Sequence, residues 1–208
     1  MKHGKNAAQI LNECERIAAD ILVLTETDER ISPDYNYVFH TGNLQDIAAD
    51  FYMPTERRVS IYTNYPCVTQ HETYDAYTAA CVELATELGN LLVYGTIMGL
   101  FGNRNQNYRE DLRRQIDDFR RLSMLGNFCI AGDFNCSFGD NYYFTKEGRG
   151  LLLNCFAENK LSLLTEKVGE NVDHIAISES FYRGGVVIEE WNQNRALSDH
   201  KGIAVSFE

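Results

Sequence analysis

The chain has 208 residues, of which 44% are hydrophobic, 24% are charged and only 3 are proline, a globular composition that excludes a disordered or collagen-like polypeptide. Its net charge of −11 argues against general nucleic-acid binding, which needs a basic face to meet phosphates. The longest apolar runs, residues 21–24 and 91–101, fall short of the ~20 residues of a membrane span.

The start MKHGKNAAQILNE lacks the basic and then apolar pattern of a secretory leader and reads as a polar helix start. Residues 6–19 are expected to form a helix, with Ile10, Leu11, Cys14, Ile17 and Ala18 on one face at a period of about 3.6. ADILVLTE follows as a buried strand ending at Thr25–Glu26, as its branched apolar run suggests. Residues 36–40 and 58–63 read as strands, the latter closed by a Tyr65–Pro66 turn. Residues 79–85 and 91–98 read as a hairpin around Glu87-Leu88-Gly89-Asn90. Residues 108–125 give the strongest helical signal, with Tyr108, Leu112, Ile116, Phe119 and Leu122 as the apolar face and charges elsewhere. A strand at 128–131 runs into GDFN. A helix over 147–158 follows, then strands near 161–164, 171–177, 186–190 and 202–207. No repeat or linker interrupts the chain, so residues 1–208 are read as one mixed α/β domain in which helices layer on sheets. The six cysteines include no CxxC pair. They read as reduced thiols packed in the core, which suits a reducing, cytoplasmic setting.

Four polar clusters sit at strand tips: Glu26 in VLTETD, Asp133 and Asn135 in GDFN, Asp173 and His174 in VDHI, and Asp199 and His200 in LSDH. A single carboxylate at a strand end is usually a turn or cap residue. Four on four strands can converge on one rim of a sheet. Gathering carboxylates without a cation is costly, and oxygen donors favour Mg²⁺ or Mn²⁺ over zinc. Asp133 and Asn135 are two apart and point the same way if the chain is extended. The carboxylate can then take a proton from water while the amide donates to a phosphoryl oxygen, which suits phosphate-ester hydrolysis. The competing reading of GDFN is an Asx-rich turn. Consecutive strand residues face opposite ways, so Asp173 is a better partner for His200 than Asp199, and His174 is expected to be structural. The arginines of the 108–125 helix read mainly as a solvated face. Arg104, Arg109 and Arg195 remain candidates for phosphate contacts because the guanidinium fork matches phosphate.

In order and spacing, ADILVLTET, RRVSIYTNYP, LLVYGTIM, AGDFN, VDHI and LSDH resemble the endonuclease/exonuclease/phosphatase superfamily, of deoxyribonuclease I-like fold, over nearly the whole chain. The resemblance implies a four-layer α/β sandwich with two central mixed sheets. It implies a phosphodiester or phosphomonoester hydrolase, a nuclease or phosphatase, acting by in-line attack of water with Mg²⁺ or Mn²⁺. Glu26 would be the main metal ligand. Asp133 would orient or deprotonate the water, or protonate the leaving group. Asn135 would hold the scissile phosphoryl group, Asp173 would orient a charge-stabilising His200, and Asp199 would assist the metal or the water. The substrate would be a phosphate ester, with nucleic acid among the choices.

Two departures stand out. Members of the superfamily begin with a strand ending in an Asn beside the metal, whereas here the first helix follows Met1 almost at once. The N-terminal strand and its Asn are therefore not expected within residues 1–208. The segment Thr96-Ile97-Met98 also stands where many relatives carry a His or Tyr near the phosphate. The alternative to a hydrolase is therefore a catalytically impaired or truncated member of the fold that serves as a binding module.

Overall fold

The computed structural model describes residues 6–99 and 107–207. In chain order the elements are α1 (Ala7–Ile17), β1 (Ile21–Asp28), β2 (Tyr37–His40), α2 (Gln45–Ala48), β3 (Glu56–Thr63), β4 (Cys67–His71), β5 (Ala79–Thr86) and β6 (Gly89–Ile97). After them come α3 (Tyr108–Ser123), β7 (Asn127–Asp133), α4 (Lys146–Glu158), β8 (Leu161–Leu163), β9 (Asp173–Ser178), β10 (Val187–Trp191) and β11 (Gly202–Ser206). Every expected helix and strand is present. The short helix α2 and the edge strand β4 are additions. β4 is polar and pairs only with β5, so it lacks the apolar alternation that marks a buried strand.

Three sheets form among the described residues: β1-β3-β2, β10-β11, and a six-stranded sheet in the order β4-β5-β6-β7-β9-β8. β6 and β7 pair in parallel across α3, and the other pairings are antiparallel, as expected when only one strand pair is joined by a helical crossover.

The alternation of side chains along the strands builds the layers. Leu91 and Val93 of β6, Cys129 of β7 and Ile177 of β9 pack with Ile61 of β3, between the six-stranded and three-stranded sheets. Their neighbours Leu92, Tyr94, Phe128, Ile130 and Ala176 face the other way, against Leu112, Phe119 and Leu122 of α3 and Leu152 and Phe156 of α4. On the far side, Ile10 and Cys14 of α1 meet Leu24 and Tyr62. Helix, sheet, sheet and helix pair thus succeed one another. Strands buried on both faces explain the continuous apolar runs LLVY and FCIA. All six cysteines are unpaired thiols, and five of them are buried.

β1 and β11 lie at the edges of separate sheets. A cavity of about 420 Å³ lies between them, lined by residues 21–25 and 202–207 and floored by residues of β6, β7 and β9. No helix among the described residues is long and apolar enough to cross a membrane.

Candidate active site

Strand pairing brings two of the polar clusters together at one rim. Asp133 closes β7 and lies opposite Asp173, the first residue of β9; on its other side it pairs with Ile97 at the end of β6. Gly132 makes this close approach possible. Its φ is +134°, and a Cβ there would lie 2.0 Å from the carbonyl oxygen of Thr96, so no other residue fits.

After Asp133 the chain turns instead of staying extended. Asn135 has a left-handed φ of 47°, and its N–H donates to Asp133 Oδ1 at 2.8 Å. GDFN is thus an Asx turn, as its composition allowed. The turn still brings the two side chains together: Asn135 Nδ2 donates to Asp133 Oδ2 at 3.1 Å and to Met98 O at 2.8 Å. In this arrangement one amide proton of Asn135 goes to Asp133 and the other to the Met98 carbonyl. Donation to a phosphoryl oxygen would require one of these bonds to be exchanged.

His200 Nδ1 donates to Asp173 Oδ2 at 2.8 Å. This partnership crosses from the residue preceding Lys201 and β11 to the start of β9. The carboxylate raises the imidazole pKa to about 9, against the effect of burial, with Asp133 and Asp199 adding attraction. At neutral pH His200 is therefore an imidazolium. Asp133 is only 6% exposed. Burial raises its pKa well above the ordinary carboxylate range, and repulsion from Asp173 adds to this, while His200, the Asn135 N–H and Arg58 oppose it. A buried carboxyl that holds its proton more tightly, beside an imidazolium that holds its own, has the acid–base character of a proton-transfer site.

His174 faces away from this cluster. It is 1% exposed and bonds the Thr165 hydroxyl at 2.8 Å and the Cys136 carbonyl at 2.9 Å. Burial lowers its pKa to about 4, so it is a neutral core residue.

Glu26 lies within β1 and not at its end, because Thr27 and Asp28 continue the pairing with β3. It drops out of the ladder at a left-handed φ of 45°, which leaves its side chain exposed. Asp199 is exposed too and accepts from the Ser198 hydroxyl at 3.3 Å. Of the candidate arginines, Arg104 lies outside the described residues. Arg109 is exposed on α3 and pairs with Glu147 at 2.9 Å, as a solvated helix face would. Arg195 lines a cavity beside Asp173 and His200.

Sequence reasoning missed two groups here. Arg58 of β3 is 6% exposed, and its charge is balanced by Asp111, Glu26 and Asp133, which oppose the lowering of its pKa by burial. It thus ties Glu26 electrostatically to the Asp133 cluster. Asp111, expected on a charged helix face, is 2% exposed. It accepts from the Gly99 N–H at 2.7 Å, from Gln115 at 3.0 Å and from the Tyr74 hydroxyl. Gln115 in turn accepts from the Thr96 hydroxyl at 2.6 Å, so α3 braces the end of β6 behind the site. An arginine inside a strand buried on both faces, and polar residues at 111, 115 and 118 flanking an apolar stripe, are the signals that could have found them.

Among the described residues no group of three His, Cys, Asp or Glu side chains is placed to hold a metal. That donor set does not suit zinc, which takes a closed cage of protein ligands or three of them. Mg²⁺ keeps several waters and takes one or two carboxylates; Glu26 and Asp199 are exposed carboxylates of the donor type such an ion takes.

No protein-family model and no curated protein matches the chain. Solved structures do match. An endonuclease/exonuclease/phosphatase protein from Beutenbergia cavernae aligns at 16% identity and TM-score 0.64, covering 95% of this chain and 64% of its own; this chain therefore spans just under two thirds of that protein. The 3′ phosphatase NExo from Neisseria, bound to a product DNA hairpin, aligns at 13% identity and TM-score 0.66, with 98% and 94% coverage. The endonuclease domain of TRAS1, a telomere-specific non-LTR retrotransposon, aligns at 15% identity and TM-score 0.68, with 97% and 92% coverage. The likeness is one of fold.

Proposed function

On this endonuclease/exonuclease/phosphatase fold, we propose that the chain is a divalent-metal-dependent phosphoesterase that hydrolyses a phosphodiester or phosphomonoester. The observation that carries the reading is the juxtaposition of Asp133, Asp173 and His200 at one rim, because it gathers a proton carrier and a fixed positive charge. Its fold neighbours include a DNA 3′ phosphatase and an endonuclease domain, which supports a phosphate-ester substrate and places nucleic acid within the class.

Asp133 moves the proton in this scheme. Its raised pKa brings it toward neutrality, where a carboxyl can take a proton from the attacking water and return it to the leaving oxygen. His200, held by Asp173, supplies positive charge to the phosphoryl oxygens as charge builds in the transition state. Asn135 fixes the Asp133 carboxyl. Glu26, with Asp199, would hold Mg²⁺ or Mn²⁺, which when bound neutralises phosphate charge.

The test is hydrolysis of bis-p-nitrophenyl phosphate with Mn²⁺. The reading expects turnover that disappears in Asp133→Ala. Turnover equal in parent and variant would remove Asp133 from the chemistry. No turnover of this or any other phosphate ester would favour the second reading, a binding module.

A further inference from the structure

β1 and β11 each have one edge that pairs with no strand among the described residues: β1 pairs with β3 alone, and β11 with β10 alone. The two open edges flank one cavity of about 420 Å³, with residues 21–25 on one side and residues 202–206 on the other. Its floor is apolar and includes Leu91, Val93, Cys129, Ile175 and Ile177. The flanking strands are apolar too, yet Ile21, Leu22 and Val23 of β1 and Ile203, Ala204 and Val205 of β11 are only half-buried, whereas residues 91–97 of β6, which is paired on both sides, are buried. Other sheet edges carry the usual protection against further pairing. β4 is polar at Thr69 and Gln70, β8 is three residues long, and β10 carries Glu189 and Glu190.

We propose that this cleft is a strand-addition site, which takes an extended segment of a partner protein, about five to seven residues long and apolar at alternate positions. A strand meets both requirements of the cleft. Its backbone pairs with the two open edges, where unpaired N–H and C=O groups are costly once water is excluded. Its alternate side chains cover the apolar floor. An acyl chain or another apolar ligand would cover the floor and leave the edges unpaired. The parts of this chain outside the described residues do not have the required pattern. Met1-Lys2-His3-Gly4-Lys5 holds a single apolar side chain, and residues 100–106 place Leu100 and Phe101 next to each other and continue as Gly-Asn-Arg-Asn-Gln. The net charge of −11 disfavours insertion of a second copy and favours a neutral or basic segment.

The probe is the peptide Ac-KVTVTVK-NH2, added to the full chain. Its control is the same peptide with the central valine N-methylated, which keeps the side chain and removes a donor. With the probe, hydrogen–deuterium exchange should slow at least about tenfold at residues 21–25 and 202–206 and stay unchanged along the polar edge strand β4. A strand paired on both edges uses every N–H, so the control should bind at least about tenfold more weakly. Ile203→Lys, which puts a charge on the lined edge, should weaken the probe likewise; the two peptides on the parent chain decide the matter even where this variant fails to fold. Equal binding of probe and control, no protection along the two edges, or unchanged probe affinity in a folded Ile203→Lys overturns the strand site. Exchange that is already slow along both edges before peptide is added also overturns it, because the cleft is then filled from within the chain or, where sedimentation shows a dimer, by a second copy.

Discussion

Asp133 and Asp173 sit directly across from one another in the antiparallel β7–β9 pair, two acidic side chains on one rung at the rim of a buried sheet. Among the described residues, Asp173 is bonded to a positive partner, His200, whereas Asp133 is held by the N–H and amide of Asn135. Burial, with the facing Asp173 adding repulsion, raises the proton affinity of Asp133, which suits it to a proton-carrying role.

It follows that Asp133→Asn should separate activity from stability. Turnover should fall by about 10²–10⁴-fold, the usual contribution of a positioned proton carrier. Folding should be no weaker, because the amide removes the repulsion with Asp173 and the burial of charge. Urea unfolding alongside turnover checks both; a large loss of stability would show that Asp133 is mainly a structural group.

Asp173→Asn should act through His200. Without the carboxylate that raises it, the imidazole pKa should fall toward or below its ordinary value near 6.5. An NMR titration of His200 reads this without any turnover. An unchanged midpoint would contradict the pairing.

Gly132→Ala should be severely destabilising. The added Cβ meets the Thr96 carbonyl at 2.0 Å in a backbone conformation that only glycine adopts freely. A loss of roughly 2 kcal/mol or more is expected, within the range of strain and overpacking effects. A stability within ~0.5 kcal/mol of the parent, which is typical of neutral surface changes, would show that the β6–β7 approach can relax.

His174 predicts an acid limb. Burial lowers its pKa to about 4, so in the folded state it resists a proton that the unfolded chain accepts below about 6.5. Its contribution to stability is fully present above pH 6.5 and is lost progressively as pH falls from there through 4. The loss is on the order of 3 kcal/mol, because each tenfold difference in proton affinity between the folded and unfolded chain is worth about 1.4 kcal/mol. His174→Gln should flatten this limb in unfolding curves recorded from pH 7 to 4, whereas an unaltered slope would assign the acid sensitivity to other groups.

Chelation should abolish turnover, and Mg²⁺ or Mn²⁺ should restore it. Glu26→Gln should raise the metal concentration needed for half-maximal rate by at least about tenfold, since a divalent ion bound mainly through waters relies on one or two carboxylates. A variant with the same metal requirement as the parent would move the metal away from Glu26.

The helices and strands were legible because each buries an apolar stripe or a continuous run. The continuous runs LLVY and FCIA, which pack on both faces, and the stripe Leu112, Ile116, Phe119 are local patterns of this kind. The polar clusters were legible for a similar reason, since carboxylates stand out when they abut buried strands. β4 and α2 were not legible, because an exposed edge strand and a single turn of helix bury too little to leave a pattern.

The sequence by itself therefore determined the mixed α/β class, the helices and strands and the residue types at the strand ends, all set by short-range periodicity and burial. Only the tertiary structure decided which of those residues meet. The β7–β9 register placed Asp133 against Asp173, and the loop before β11 delivered His200 to Asp173 across 27 residues. Folding buried Arg58 and Asp111 and drew Tyr142 beneath Arg195. Such pairings depend on strand register and on the packing of distant loops, and no local run of amino acids encodes either.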